Sequence, residues 1–164
     1  MTERIRHVLF VCSHNSARSI MAEGILRNLG RGRFVAHSAG SHPADRVHPM
    51  ALRTLQEMRL PTEGYRSKDW AEFAQAGAPT LDFVLTVCDK AAGEACPVWP
   101  GQPMTAHWGV ADPAAFQGTE EETAKVFWDT ASVLKRRIEL MLALPMEALD
   151  SLSLQQQMRD IGTR

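Results

Sequence analysis

The chain has little cysteine, little net charge and no long hydrophobic run. Its 164 residues include three cysteines and one tyrosine, and its formal net charge is −1. A chain this close to neutral lacks the basic surface that attracts nucleic acid or an anionic membrane. No stretch approaches the roughly 20 apolar residues of a transmembrane helix, and we find no secretory signal. We therefore expect a cytoplasmic protein that binds neither nucleic acid nor membrane.

The three cysteines, Cys12, Cys88 and Cys96, form an odd set. In a reducing compartment such a set is more typical of reactive or buried thiols than of structural disulfides. The sequence has no Cys-x2-Cys pair that could combine with histidines in a zinc site, so we predict no metal site.

The remaining composition is that of an ordinary globular domain, with 45% hydrophobic and 23% charged residues. At this length we expect one domain around one core. Strand and helix patterns alternate along the chain, which predicts a layered α/β fold. We interpret His42 and His48, in the loop after the second strand, as surface residues. The predicted strands are 8–11, 34–36, 81–87 and 104–108, and the main predicted helices begin near 17, 49, 119 and 149.

One loop stands out, because it joins a buried-strand pattern to a helix pattern. Val8–Val11 is an unbroken apolar run, typical of a strand that is buried on both faces. Apolar residues then recur at helical spacing from Ile20 to Leu29. The loop Cys12–Ser19 therefore ends at a helix N-terminus, where unpaired N–H groups favour an anion.

Cys12 and Arg18 frame this loop as a Cys-x5-Arg motif. The helix end and Arg18 should both favour the thiolate of Cys12, and the arginine fork suits two oxygens of a tetrahedral oxyanion. Ser19 is a candidate donor to the Cys12 sulfur, and Asn15 is a candidate brace that would hydrogen-bond to the backbone of the loop. The alternative is a strand-end cysteine near a surface arginine, but the strand–loop–helix setting favours the functional interpretation.

The segment Cys12–Ser19, which reads Cys-Ser-His-Asn-Ser-Ala-Arg-Ser, resembles the active-site loop of the low-molecular-weight protein tyrosine phosphatase superfamily. That superfamily includes the thiol-dependent arsenate reductases. The resemblance implies a three-layer α/β fold in which helices flank a four-stranded parallel sheet of order 2-1-3-4. It implies a catalytic domain at 1–144 and leaves 145–164 as a C-terminal extension with a short helix. It also implies an oxyanion site formed by Ser13, His14, Asn15, Ser16, Ala17, Arg18 and Ser19.

Two positions depart from the family pattern. The usual family loop has glycine where this chain has His14. The segment Tyr65–Lys68 resembles one that often carries an acidic residue at position 68. In some arsenate reductases that acidic residue helps to bind potassium, together with residues that match Asn15, Glu23 and Ser38. Because Lys68 brings its own positive charge to such a site, we predict no bound cation.

The oxyanion loop is compatible with phosphoester hydrolysis. A phosphatase needs a nucleophile, an oxyanion clamp and a general acid, and Cys12, Arg18 and Asp112 fit these roles. Asp112-Pro113 resembles the general-acid loop of the family, although alone it is also compatible with a simple turn. Family phosphatases usually carry aromatic residues just after this pair, where this chain has Ala114 and Ala115.

Cys88 and Cys96 favour arsenate reduction instead. Cys88 follows the predicted strand 81–87, and the carboxyl ends of parallel strands share one edge of a sheet, so it should emerge beside Cys12. A buried strand cysteine is the alternative for Cys88, but Cys96-Pro97 is placed as in the arsenate reductases. The resemblance implies a Cys12–Cys88–Cys96 relay that converts arsenate to arsenite. It also implies thioredoxin or glutathione with glutaredoxin as reductant, no bound cofactor, and phosphate or sulfate as substrate mimics.

Two alternatives to the reductase remain. One is a low-molecular-weight protein tyrosine phosphatase that hydrolyses a phosphoester through a phosphocysteine at Cys12. The other is an oxyanion-binding protein without catalysis, which the intact Cys-x5-Arg-Ser motif and the candidate acid Asp112 make less favourable.

Overall fold

A computed structural model describes residues 4–88 and 99–164 of the chain. The strands are β1 (Arg6–Cys12), β2 (Phe34–Gly40), β3 (Phe83–Thr86) and β4 (Met104–His107). The helices are α1 (Arg18–Leu29), α2 (Pro49–Glu57), α3 (Glu120–Leu142) and α4 (Ser151–Ile161). Short 3-10 turns occupy Trp70–Ala74 and Pro113–Ala115.

The four strands form one parallel sheet in the order β2-β1-β3-β4. This confirms the predicted fold and strand order. The central strand β1 is apolar because it is covered on both faces, and Val8–Val11 are fully buried. Its last residue, Cys12, pairs with Gly40 of β2. The loop that follows β1 therefore leaves the carboxyl edge of the sheet at its centre.

Helices α1 and α3 begin in different ways. At the start of α3, Thr119 and Glu122 form a capping box that satisfies free N–H groups of the first turn. At the start of α1, Ala17 provides no side-chain cap. The first N–H groups of α1 are therefore left for a ligand, as expected for an anion site.

The C-terminal helix α4 shares its core with the sheet. It packs against β4 and α3, and Leu154, Met158 and Ile161 are buried in the same hydrophobic cluster as the sheet residues. The fully buried ring of Trp108 lies between this helix and β1, with its ring centre 6.3 Å from that of Phe10.

The prediction for the two histidines holds for one of them. His42 is exposed. His48 is half-buried: its Nδ1 accepts a hydrogen bond from the backbone N–H of Met50, and its ring packs 4.9 Å from that of Phe127. The interpretation of His48 as a surface residue is therefore wrong, because its position before Pro49 makes it the N-cap of α2.

Within the two described ranges, no helix combines the length and the apolar character that a membrane span requires.

Candidate active site

The anion loop, Cys12–Ser19, passes very close to the end of β2. A Cβ atom added to Gly40 would lie 2.5 Å from the Ser13 carbonyl oxygen and 3.0 Å from that of Cys12. Only glycine leaves room for this approach. The end of β2, Ser38–Gly40, therefore lies directly beside the anion loop.

A second segment holds the anion loop from outside. Backbone N–H groups of His42, Ala44 and His48 donate to the carbonyl oxygens of Ser13, His14 and Ser16, at 2.8, 2.9 and 2.9 Å. Carbonyl groups engaged in this way do not face an anion, so the loop keeps its N–H groups for that purpose. Sequence reasoning missed the bond from His48, and the available signal was Pro49, which marks the start of a helix and so places His48 at the N-cap position.

Asn15 braces the anion loop from inside. It is fully buried, and its φ of 48° lies in the left-handed region. Its Nδ2 donates to the hydroxyls of Ser19 and Ser38, at 2.8 and 2.9 Å. Its carbonyl oxygen accepts from the Ser67 hydroxyl at 2.7 Å, and its Oδ1 from the Lys68 backbone N–H at 3.0 Å. The predicted brace is present, but it acts through neighbouring segments and not on the loop's own backbone.

The ammonium group of Lys68 lies beside Asn15, Glu23 and Ser38, the residues that the family resemblance associates with a cation site. Its Nζ lies 3.4 Å from both Asn15 Oδ1 and Ser38 Oγ, and 3.9 Å from Glu23 Oε1. Glu23 also pairs with Arg27 at 2.5 Å and accepts a short hydrogen bond from Ser38. Burial lowers the pKa of Lys68, while the Glu23 carboxylate opposes that shift. A buried carboxylate under the loop is thus offset by two side-chain cations.

The anion loop and the acid loop, Gly109–Phe116, enclose a cavity of about 60 Å³. A cavity that holds benzene measures about 150 Å³. The space therefore suits a tetrahedral oxyanion and does not enclose an aromatic ring. Seven residues line it: Cys12, His14, Ser16, Ala17, Arg18, Asp112 and Ala114.

Arg18 connects the two loops. Its Nη1 donates to the Val110 carbonyl oxygen at 3.0 Å, and its Nη2 lies 3.7 Å from Asp112 Oδ2. Its Nε is buried and has no acceptor within the described ranges. A buried donor without an acceptor costs free energy, so this N–H favours an incoming anion.

Asp112 combines the two interpretations that the sequence left open. Its Oδ1 accepts from the Ala114 backbone N–H at 2.9 Å and so caps the short turn Pro113–Ala115. Its side chain is 39% exposed and also lines the cavity. It is a turn aspartate, and it faces the space where a leaving group would depart.

His14 does not distort the loop. Its φ is not positive, so its position has no conformational need for glycine. Its side chain is exposed and contributes to the lining of the cavity.

Cys12 and Cys88 meet below the cavity, as predicted from the sheet. Both are buried thiols, 3% and 1% exposed, and Cys88 Sγ shares a hydrogen bond of 3.6 Å with Ser13 Oγ. The hydrogen bond with Cys88, followed by burial, raises the pKa of Cys12, while Arg18 and the Ser13 backbone N–H lower it. In this arrangement the second thiol outweighs the arginine, so the net shift is opposite in direction to the one expected from Arg18 and the helix end alone.

Two further predictions concern Cys96 and metal binding. Cys96 lies outside the described residues. Among 4–88 and 99–164, no cluster of three or more histidine, cysteine, aspartate or glutamate side chains has the placement of metal ligands.

Known proteins resemble this chain in both sequence and fold. The family model of the low molecular weight phosphotyrosine protein phosphatases matches residues 7–156. A glutaredoxin arsenate reductase from Synechocystis sp. is 30% identical over 139 residues, which cover 85% of this chain and 98% of that protein. An arsenate reductase from Oceanobacillus iheyensis is 33% identical over 133 residues, covering 81% and 92%.

Solved structures show the same relationship. An arsenate reductase in the phosphate-binding state superposes with a TM-score of 0.65 at 29% identity, over 84% of this chain and 97% of that one. A low molecular weight protein tyrosine phosphatase from T. tengcongensis superposes with a TM-score of 0.61 at 26% identity, over 82% and 95%. The sheet order, the loop after β1 and these matches agree, and the chain belongs to the low molecular weight phosphotyrosine protein phosphatase family.

Proposed function

We propose that the protein reduces arsenate to arsenite through a relay of thiols. The observation that carries the proposal is the second buried thiol, Cys88, which lies beside Cys12 at the carboxyl edge of the sheet, beneath a cavity of oxyanion size. Ester hydrolysis needs one nucleophilic thiol. Delivery of two electrons to arsenic needs a second thiol that can attack the first sulfur.

The first step uses the anion loop and Asp112. Loop N–H groups and Arg18 hold the tetrahedral arsenate, and the Cys12 sulfur attacks arsenic. The proton of the Cys12 thiol passes to an arsenate oxygen, and an arsenate hydroxyl group leaves as water after it accepts a proton from Asp112. Cys88 then attacks the Cys12 sulfur. The pair of electrons in the sulfur–arsenic bond stays with arsenic, which leaves as arsenite, and a Cys12–Cys88 disulfide forms.

The second step restores Cys12. Cys96 attacks the Cys88 sulfur, which frees Cys12 and leaves a Cys88–Cys96 disulfide for an external reductant. The role of Cys96 rests on its sequence position. Thioredoxin or glutathione with glutaredoxin supplies the electrons, and one relative carries glutaredoxin in its name. A relay of reduced thiols needs a reducing compartment, which supports a cytoplasmic location. The proposal includes no bound cofactor, and it treats phosphate and sulfate as mimics of arsenate.

Phosphoester hydrolysis is expected as a slow side activity. The same loop binds phosphate and presents the same nucleophile, and the chain resembles a phosphatase structure. The cavity is too small to enclose a phosphotyrosine ring, and the short side chain of Ala114 provides no aromatic surface on which the ring could stack.

The direct test couples arsenate to NADPH oxidation. One assay contains thioredoxin with thioredoxin reductase, and the other contains glutathione, glutaredoxin and glutathione reductase. Sustained arsenate-dependent turnover in either assay establishes the reductase and identifies its partner.

Cys88→Ser tests the relay itself. We expect it to abolish multiple turnover of arsenate while keeping hydrolysis of p-nitrophenyl phosphate, which needs only Cys12 and its loop and so serves as a control for folding. Arsenate turnover by this variant at the parental rate would disprove the relay. Cys12→Ser should abolish both reactions but retain phosphate binding, and loss of neither would exclude Cys12 as the nucleophile.

A further inference from the structure

Trp108 connects the C-terminal helix to the end of the sheet. Its indole Nε1 donates to the Met158 carbonyl oxygen in α4 at 2.8 Å, in a fully buried setting. Gly162, just after the end of α4, also lies very close to β4. A Cβ atom on Gly162 would fall 2.1 Å from the His107 carbonyl oxygen. The C-terminal segment, residues 145–164, is therefore seated against the last residues of β4.

Arg137 fixes the backbone where the acid loop begins. Although it is 7% exposed, its guanidinium pairs with carbonyl oxygens and with no carboxylate side chain among the described residues. Nη1 donates to the carbonyls of Trp108 and Gly109, at 2.7 and 3.2 Å, while Nε and Nη2 donate to that of Arg164, at 3.3 Å each. One buried cation thus ties the C-terminal segment to the acid loop.

The same stretch of backbone continues to the cavity. The Val110 N–H donates to the Val87 carbonyl oxygen at 3.1 Å, and the Val110 carbonyl oxygen accepts from Arg18 at 3.0 Å. Asp112 follows two residues later, on the cavity wall. A displacement at Trp108 or Gly109 would therefore move both the arginine's anchor and the candidate acid.

We propose that the C-terminal segment positions the acid loop, with Trp108 and Arg137 as positioning residues for Asp112. The proposal rests on the role of Asp112 as general acid given above. It assigns the extension a task in the reaction, although none of its residues lines the cavity. Displacing a proton donor by about 1 Å can cost up to a hundredfold in rate, which makes the effect measurable.

The test compares two phosphoesters that differ in leaving group. Phenoxide needs a proton as it departs, whereas p-nitrophenoxide departs readily without one. Asp112→Asn sets the reference, with about a hundredfold loss on phenyl phosphate and a much smaller loss on p-nitrophenyl phosphate. We expect Arg137→Met to show the same selectivity, with about a tenfold loss on phenyl phosphate and a nearly parental rate on p-nitrophenyl phosphate.

Arg136→Met is the matched control, because it removes the adjacent exposed arginine of the same helix. It should leave both rates parental. Trp108→Phe is the second test variant, since it keeps an aromatic ring in place while removing the indole N–H bond and the five-membered ring that carries it. It should show the same selectivity as Arg137→Met, and Arg137→Lys should restore part of the rate on phenyl phosphate.

Each outcome bears on one of the two ideas. Equal losses on both esters, or parental rates on both, in Arg137→Met and Trp108→Phe would overturn the positioning role while Asp112→Asn remained selective. A non-selective Asp112→Asn would instead reject Asp112 as the acid, and with it the proposed mechanism. Absence of ester hydrolysis in the parent protein would contradict both.

Discussion

The anion loop and the acid loop face the same cavity but are held in opposite ways. The anion loop is held by contacts on several sides. Its backbone packs against Gly40, the buried side chain of Asn15 hydrogen-bonds to Ser19, and Lys68 donates to Asn15. The acid loop is anchored at its base, and the Asp112 side chain beyond it is 39% exposed. Oxyanion binding requires donors fixed before the anion arrives. A proton donor must also exchange its proton with water, so a partly exposed position serves it better.

The largest effect should come from the residue that joins the loops. Arg18→Lys keeps the positive charge but loses the planar fork and the bond to Val110. Loss of paired charge-assisted bonds should weaken phosphate or arsenate binding by roughly a hundredfold, as measured by isothermal titration calorimetry. Unchanged affinity would mean that the loop N–H groups alone hold the anion.

A smaller loss should follow from removing the cation beneath the anion loop. Lys68→Met leaves Glu23 with Arg27 as its remaining side-chain cation and frees Asn15 Oδ1 of one donor. We expect about a tenfold increase in KM for arsenate and a loss of about 1–2 kcal/mol in the free energy of unfolding. Lys68→Arg, which keeps the charge, is the control. Its KM and its free energy of unfolding should lie between those of the parent protein and those of Lys68→Met. A parental KM in Lys68→Met would show that Asn15 needs no such support.

His14 should influence which anions enter rather than how the loop is shaped. His14→Gly removes an exposed ring from the cavity lining and relieves no strain, because φ is not positive there. We expect kcat/KM for p-nitrophenyl phosphate to rise by about threefold, the scale of a small gain in contact or access, while kcat/KM for arsenate stays within twofold. A fall in both values would instead assign His14 to oxyanion binding.

The smallest effect concerns acid stability on the anion-loop side. Burial, followed by the charges of His7, Lys68 and Arg27, lowers the pKa of His37 in β2 to about 4. The unfolded chain, with an ordinary pKa near 6.5, binds more protons between these values, so stability falls as pH drops from about 6.5 to 4. His37→Gln should reduce that fall by about 1 kcal/mol, a discounted figure because the ring is partly exposed. Urea unfolding at pH 7.5 and pH 5 measures it, and equal losses in both proteins would contradict it.

The sheet and the anion loop were predictable because their signals are local. An apolar run, a Cys-x5-Arg spacing and a helix pattern stand next to one another in the chain, and the carboxyl-edge rule then brings Cys88 to Cys12. Most strand boundaries moved by one or two residues, as in β3, expected at 81–87 and found at Phe83–Thr86, but β2, expected at 34–36, extends to Gly40. Boundaries depend on the exact partner register, which propensities do not encode.

What failed depended on contacts between distant segments. The raised pKa of Cys12 comes mainly from a thiol 76 positions away in the chain, whereas the prediction considered only Arg18 and the helix end. The packing of His48 on Phe127 and the bonds of Arg137 to Trp108 and Gly109 likewise join residues with no shared sequence pattern. Such contacts follow from packing, which single-sequence periodicity does not specify.

The close approach at Gly40 shapes how this protein tolerates change. Even a methyl group there would displace the Ser13 carbonyl, and the backbone that moves is that of the anion loop. A scan of all single substitutions scored by activity would thus place Gly40 among the most sensitive positions, although it has no side chain and does not line the cavity. A position can therefore be sensitive in such a scan because it shapes the backbone of a site, even when it does not contact the ligand.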